Sequence, residues 1–331
     1  MIAMPPLAGS IHLPDAPPSI GAMLAWNPQH VPLLPVVAIA LALLYIRGVL
    51  RMRETGRAWA WWRTASFLSG CLALFLVTGL AIEGYGFRLF SAWMFQHLTL
   101  SMLIPPLWVL GSPGVLLLRA TPHHGVGRLV LGAALTALRS RAARVLLHHG
   151  FTIPVFLFSY YAVYLTSILD VVGSNLAGHL ALEVFFLAGG LLFIVPVLST
   201  GPLPFRQTNL GRFFDLFVEM PLHVFIGVIL MMASAPMVAL FADPPAGWNV
   251  DVLADQKLAG GLAWSYGEPV ALIVVLVFAA RWRRDEVRES SIAEKYDRDG
   301  GGSELLAYNA FLESLHDKSG KTPYASENPK A

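Results

Sequence analysis

Seven apolar stretches separated by polar gaps dominate this chain, and its arginines concentrate in alternate gaps. Each stretch has close to the ~20 residues that a helix needs to cross ~30 Å of hydrocarbon. The stretches cover residues 31–50, 64–84, 89–110, 151–170, 176–198, 213–241 and 260–280. The gaps after the first, third, fifth and seventh stretches hold clustered arginines, whereas the other gaps hold only Arg88 and Lys257 as cations. This pattern predicts a polytopic membrane protein.

The arginine asymmetry also predicts an orientation. Cationic loops stay on the cytoplasmic side of a membrane, so we expect the N-terminus outside and the C-terminus in the cytoplasm. The chain is 56% hydrophobic and 13% charged, whereas a soluble domain carries about 25% charged residues. The predicted fold class is therefore all-α, a bundle of seven transmembrane helices.

Three segments lie outside the predicted bundle, which covers 31–284. Residues 1–30 are rich in proline and are expected to form an extended external tail. Residues 126–147 interleave apolar residues with arginines, which is typical of a helix lying in the membrane surface. Residues 285–331 are polar and are expected to form a largely disordered cytoplasmic tail, apart from a short helix around Glu304–Leu315.

Ionisable residues inside the spans mark the candidate functional region, because burying them in lipid is costly. At 1.5 Å per helical residue, His97 lies about 12 Å below the outer face. Glu219 and His223 lie about 9 and 15 Å above the inner face, on one side of their helix. Glu268 is placed near mid-depth, so these four side chains are expected to converge.

Candidate metal ligands lie nearer the outer face. His179 and Glu183 are four residues apart, a spacing that suits metal ligands and also suits a plain side-chain pair. Thioethers such as Met94 favour Cu(I) as ligands, although methionine is also an ordinary apolar filler in membrane helices. Cys71 is the only cysteine, which excludes a thiolate cluster.

Other functional classes remain open at this point. His97 and His223 on different helices would suit the axial ligands of a haem. Glu219, His223 and Glu268 would suit a proton or small-ion path. A metal-free scaffold fits the same pattern, whereas a retinal protein does not, because Lys257 lies only at the edge of a span. No nucleotide loop or activated nucleophile is recognisable, so we expect no enzyme and no catalytic residues.

Several motifs in the third, fifth and seventh stretches resemble those of the CtaG family of cytochrome c oxidase assembly proteins. They are Phe90-Ser91-Ala92-Trp93-Met94-Phe95-Gln96-His97, then Met102, Pro105-Pro106, Gly111, Pro113 and Leu116-Leu117-Leu118-Arg119-Ala120-Thr121-Pro122, then Ala188-Gly189-Gly190-Leu191-Leu192-Phe193 with Pro196, and Asp255-Gln256-Lys257-Leu258-Ala259-Gly260-Gly261 with Trp264. The resemblance covers most of residues 26–284 and agrees with the seven-span count.

The resemblance implies a role in producing active cytochrome c oxidase through the delivery or handling of copper. It points to Gln96-His97, His179 and Asp255-Gln256 as the matching positions. Trp93 stands where the family usually carries a histidine, and Glu183 lies near a second histidine position that is replaced here. The candidate copper ligands, or residues that support them, are His97, His179, His223, Met94 and Glu183. The implied cofactor is copper, as Cu(I). The expected partners are oxidase subunits and the lipid bilayer of a bacterial plasma membrane, with no nucleic acid.

Overall fold

The computed structural model describes residues 11–198, 209–296 and 302–319, and all regular secondary structure in these ranges is helical. The helices are α1 Ile20–Met23, α2 Leu33–Glu54, α3 Trp61–Gly79, α4 Ile82–Gly86, α5 Phe90–Leu98, α6 Ile104–Leu110, α7 Pro113–Ala120, α8 Gly125–Arg139, α9 Arg141–Leu146, α10 His149–Leu165, α11 Ile168–Val172, α12 Leu176–Leu198, α13 Asn209–Met232, α14 Val252–Tyr296 and α15 Gly302–Ser319. A π-helical segment, Thr99–Leu103, joins α5 to α6.

Five helices in the described part of the chain are long and apolar enough to cross a membrane. They are α2, α3, the continuous run Phe90–Ala120, α12 and α14. The predicted all-α, multi-pass membrane architecture is therefore confirmed. α10 is apolar but shorter, with 17 residues, and α13 lies where the sixth stretch was expected. The count of seven spans and the orientation of the termini stay predictions.

Two predicted spans end earlier than expected. The second predicted span ran to residue 84, but α3 ends at Gly79, and Leu80 takes an extended conformation before α4 begins. The sixth predicted span ran to residue 241, but α13 ends at Met232. Pro236 explains the second difference, because proline cannot donate the helical hydrogen bond and disfavours helix in the residue before it.

The described part of the N-terminal tail packs onto the bundle at α4. Gln29 accepts a hydrogen bond from the His12 amide at 3.0 Å and returns one to the His12 carbonyl at 2.9 Å. The Tyr85 hydroxyl donates to the Ala16 carbonyl at 2.8 Å, and the Trp248 indole donates to the Pro14 carbonyl at 2.9 Å. These bonds cover α4, so every residue of that short helix is buried.

Small residues allow α12 to approach the π-helical segment closely. A Cβ atom at Gly190 would clash with the backbone carbonyl of Ser101 and the ring of Pro105. Small residues at helix contacts are the usual means by which membrane helices pack tightly. The π-helical turn ends directly before α6, which contains Pro105-Pro106, and both prolines lack the backbone donor of a regular helix.

The polar segments also fold into helices. The surface helix predicted over 126–147 is divided into α8 and α9 at Ser140, whose hydroxyl accepts the Ala143 amide at 3.0 Å. Its position in the membrane surface stays a prediction. The described residues from Val277 onward belong to a second compact unit. Within this unit, α15 covers Gly302–Ser319, which includes the short helix expected around Glu304–Leu315.

Candidate metal centre

Glu83, His179 and Glu183 form a buried cluster of potential metal ligands. One ligand atom from each residue lies within 4.8 Å of the other two. His179 Nε2 is 3.4 Å from Glu83 Oε1. His179 and Glu183 share one face of α12 because they are four residues apart, and α4 brings Glu83 against that face. Glu83 thus adds a third candidate ligand to the predicted pair.

Glu83 was not predicted as a ligand. Its sequence context shows only an acidic residue at the end of an apolar stretch, a position that usually faces water. The helix break at Leu80 and the short helix α4 turn it inward instead, and Glu83 is only 4% exposed. Glu83 lies in α4, between α3 and α5, and burial raises the pKa of its carboxyl above the usual range of a glutamate.

Gln96 fixes the orientation of the Glu83 carboxylate. Its amide nitrogen donates to Glu83 Oε2 at 2.7 Å and to the Val77 carbonyl at 2.8 Å. Gly86 makes room for this side chain, because a Cβ atom there would overlap Gln96 Oε1. Gln96, predicted as a functional polar residue, therefore contacts the cluster through Glu83.

The cluster contains buried polar atoms that no described atom satisfies. Neither ring nitrogen of His179 makes a hydrogen bond, nor does Oε1 of Glu183. A buried polar atom without a partner costs about 1–3 kcal/mol. Aromatic rings hold the imidazole in place, with Phe87 stacked on it at 3.8 Å and Trp93 edge-on at 4.5 Å between ring centroids. The ring is therefore held in place with Nδ1 unpartnered and Nε2 3.4 Å from Glu83 Oε1, an arrangement that would allow a ring nitrogen to bind a metal ion.

A cavity of about 670 Å³ gives access to the two carboxylates. Glu83 and Glu183 both line it, and its walls come from the start of α2, the end of α3 and the start of α12. Its polar lining also includes Gln29, Thr78 and Asn175. The cavity therefore connects the buried cluster with the end of the bundle where the N-terminal tail packs.

His97 lies outside this cluster. Its Nδ1 is 2.6 Å from the Tyr164 hydroxyl, and its ring is stacked between Phe186 at 3.7 Å and Tyr160 at 4.5 Å. Its Nε2 has no described partner. Met94, on the same helix, is fully buried. His97 is thus a packed core histidine in the described structure, separate from the Glu83–His179–Glu183 group.

The predicted convergence of His97 with Glu268 is not found. Glu268 is exposed on α14 rather than turned into the interior. Depth along a helix, from which the convergence was predicted, does not fix the direction in which a side chain points. The side chains of Glu219 and His223 lie outside the described residues.

Asp255 and Gln256 connect helices rather than lining the cluster. Asp255 Oδ2 accepts the Phe90 amide at 2.6 Å and Oδ1 accepts the Ser91 amide at 3.2 Å, which caps the start of α5 from α14. Gln256 accepts the Met237 amide at 2.8 Å. Both side chains accept hydrogen bonds from backbone amides that would otherwise lack a partner, so their roles in this structure are architectural.

Comparison with known proteins agrees with this architecture. Residues 43–285 match the family model described as cytochrome c oxidase caa3 assembly factor. A protein of Mycobacterium bovis and one of Mycobacterium leprae, both described only as uncharacterized, are 35% identical over 308 residues and 33% identical over 307 residues. The chain spans about half the length of these curated relatives, 46%, while 92% of the chain is covered. No solved structure matches it. The chain belongs to the family of cytochrome c oxidase caa3 assembly factors.

Proposed function

We propose that this protein supports cytochrome c oxidase assembly in the bacterial plasma membrane by binding copper, as cargo, at Glu83, His179 and Glu183. The observation that supports the proposal is the buried cluster itself, in which both His179 ring nitrogens and Glu183 Oε1 make no hydrogen bond. Family membership supports the link to the oxidase. Because copper is the material that is passed on to the oxidase, the protein itself needs no catalytic group.

The donor set favours divalent copper over Cu(I). Thioethers and thiolates select Cu(I), whereas imidazole and carboxylate ligands suit divalent ions. Two carboxylates and one imidazole therefore fit Cu²⁺, which binds nitrogen and oxygen sites more tightly than the other divalent first-row metals. This proposal replaces the expectation of a Cu(I) site that includes Met94 and His97.

The surrounding residues suit binding that is reversible. Two carboxylates offset the charge of a divalent ion in an apolar environment, where an uncompensated charge would be costly. Phe87 and Trp93 hold the His179 ring so that little side-chain entropy is lost on binding. The cavity lined by Glu83 and Glu183 provides one route for both entry and release.

Gln96 is expected to tune the affinity without contacting the metal. Replacing Gln96 with Leu keeps the approximate volume but removes the hydrogen bond that orients Glu83. Loss of such an outer partner typically lowers metal affinity by about 10–100-fold. Competition titration of the purified protein with a copper chelator would measure the change. The matched control is Thr78→Val, because Thr78 lines the same cavity but donates to its own helix at the Leu74 carbonyl. Equal affinities of the two variants would contradict the role given to Gln96.

The proposed function is tested by deleting the gene in its host and measuring the activity and copper content of the oxidase. We expect an oxidase that lacks copper, and recovery of activity when copper salts are added in excess. Complementation with wild type or Glu268→Gln, which alters an exposed carboxyl, should restore the oxidase, and His179→Ala should not. An oxidase that is absent and does not recover with copper would overturn metal delivery in favour of a metal-free scaffold.

A further inference from the structure

A second cavity lies at the arginine-rich end of the bundle, between α2 and α7. Its volume is about 430 Å³, within the usual range of small-molecule sites. One part of its lining is apolar, formed by Leu41, Leu44, Phe67, Leu116 and Leu117. We call this partly apolar cavity the groove. This cavity is separate from the copper cluster, with which it shares no lining residue.

Two cations line the other part of the same cavity. Arg47 and Arg51 are four residues apart and lie on one face of α2. Both are exposed, and neither forms an ion pair or hydrogen bond through its side chain with any residue that the structure describes. The described lining contains no carboxylate. Two guanidinium groups thus stand beside an apolar groove without a protein counter-ion.

The depth of these arginines suits a membrane surface. They lie about 21 and 27 Å along the axis from the start of α2, which compares with ~30 Å of hydrocarbon. Trp61 and Trp62, at the start of the next helix, are 77% and 42% exposed. Exposed tryptophans mark the boundary between hydrocarbon and headgroups. The cationic part of the groove is therefore placed at headgroup level and its apolar part at acyl-chain level.

We propose that this groove binds an anionic phospholipid, with its phosphate at Arg47 and Arg51 and an acyl chain along Leu41, Leu44 and Phe67. Guanidinium groups pair with phosphate through two parallel hydrogen bonds, which a zwitterionic headgroup with its own cation satisfies less well. The wall of the groove is rigid, because Tyr45 stacks on Phe67 at 4.2 Å and donates to the Gly111 carbonyl at 2.8 Å.

Native mass spectrometry of the purified full chain in detergent tests this site, with palmitoyl-oleoyl-phosphatidylglycerol and the matching phosphatidylcholine as probes. The double variant Arg47→Gln with Arg51→Gln is expected to bind phosphatidylglycerol about thirtyfold more weakly. This figure combines the contributions of the two cations that are lost. Binding of phosphatidylcholine should change little. An excess of inorganic phosphate should not displace the lipid, because the acyl chain contributes to binding.

Two control variants separate the groove from general surface charge. Arg53→Gln removes a nearby cation that does not line the groove, and its phosphatidylglycerol binding should stay close to wild type. Gly114→Leu fills the groove, since a Cβ atom there meets nothing within 4 Å, and should weaken binding of phosphatidylglycerol. Gly132→Leu, equally unhindered but on α8, should not. Equal loss in Arg53→Gln, full displacement by phosphate, or no loss in the double variant would each overturn the proposal.

Discussion

Purified protein carrying Glu83→Gln, His179→Ala or Glu183→Gln is expected to lose Cu²⁺ affinity by more than about 100-fold. The loss should exceed the 10–100-fold that removal of an outer partner typically costs, since a direct ligand is removed. Glu83→Gln is the sharpest variant, because a glutamine oxygen can still accept the hydrogen bond from Gln96. The variant thus removes the negative charge and leaves the local packing in place.

Chelator competition and electron paramagnetic resonance of the Cu²⁺-loaded protein measure this effect. Because the three ligands act on one ion, a second substitution among them should add less than its effect alone. Glu268→Gln is the matched control, since it neutralises an exposed carboxyl on α14. Unchanged affinity in Glu83→Gln would show that the cluster is not the copper site.

A further variant distinguishes a Cu²⁺ site at the cluster from a Cu(I) site at Met94. Met94→Leu keeps an apolar side chain of similar size and removes a thioether that was proposed from the sequence as a Cu(I) ligand. If the cluster holds Cu²⁺, we expect this variant to bind like wild type. Strong loss of Cu(I) binding in Met94→Leu, with normal binding in His179→Ala, would place the site at the thioether instead.

The membrane architecture could be predicted from the sequence because hydropathy acts over whole helices. The apolar stretches around α2 and α12 coincide with observed helices to within a few residues. The predicted ends of the stretches were less accurate where they depend on local chemistry. α13 ends nine residues before the predicted limit of the sixth stretch. Residues 233–241 contain Pro236, and the Met237 amide donates a hydrogen bond to Gln256 instead of to a helical carbonyl.

The candidate site was predicted only in part, for a geometrical reason. His179 and Glu183 were found because a four-residue spacing fixes their relation within one helix. Glu83 was missed because its position depends on a helix break and on burial beneath the N-terminal tail. The convergence around His97 was wrong for Glu268, because depth gives a position along the axis and leaves the rotation of the helix undetermined.

Asp255→Ala is expected to destabilise the protein by about 3 kcal/mol, because it removes a buried connection between two helices. The Asp255 carboxylate accepts the Phe90 and Ser91 amides at 2.6 and 3.2 Å, and all three residues are buried. Hydrogen bonds to charged groups contribute about 1.5–3 kcal/mol each, and their removal leaves two buried donors without partners. The start of α5 would then lose its connection to α14. The unfolding midpoint of the purified protein in detergent, compared with wild type, measures the loss.

Asp251→Ala is the matched control for this prediction. Asp251 also accepts two amides, those of Leu253 and Ala254 at 2.9 and 3.0 Å, but it is exposed and caps only its own helix. Loss of an exposed cap costs about 1 kcal/mol, so Asp251→Ala should shift the midpoint much less than Asp255→Ala. Because Asp255 connects helices and is not among the copper ligands, a milder variant, Asp255→Asn, should keep wild-type copper affinity once folded. Normal stability with lost copper binding in Asp255→Asn would instead make Asp255 part of the metal site.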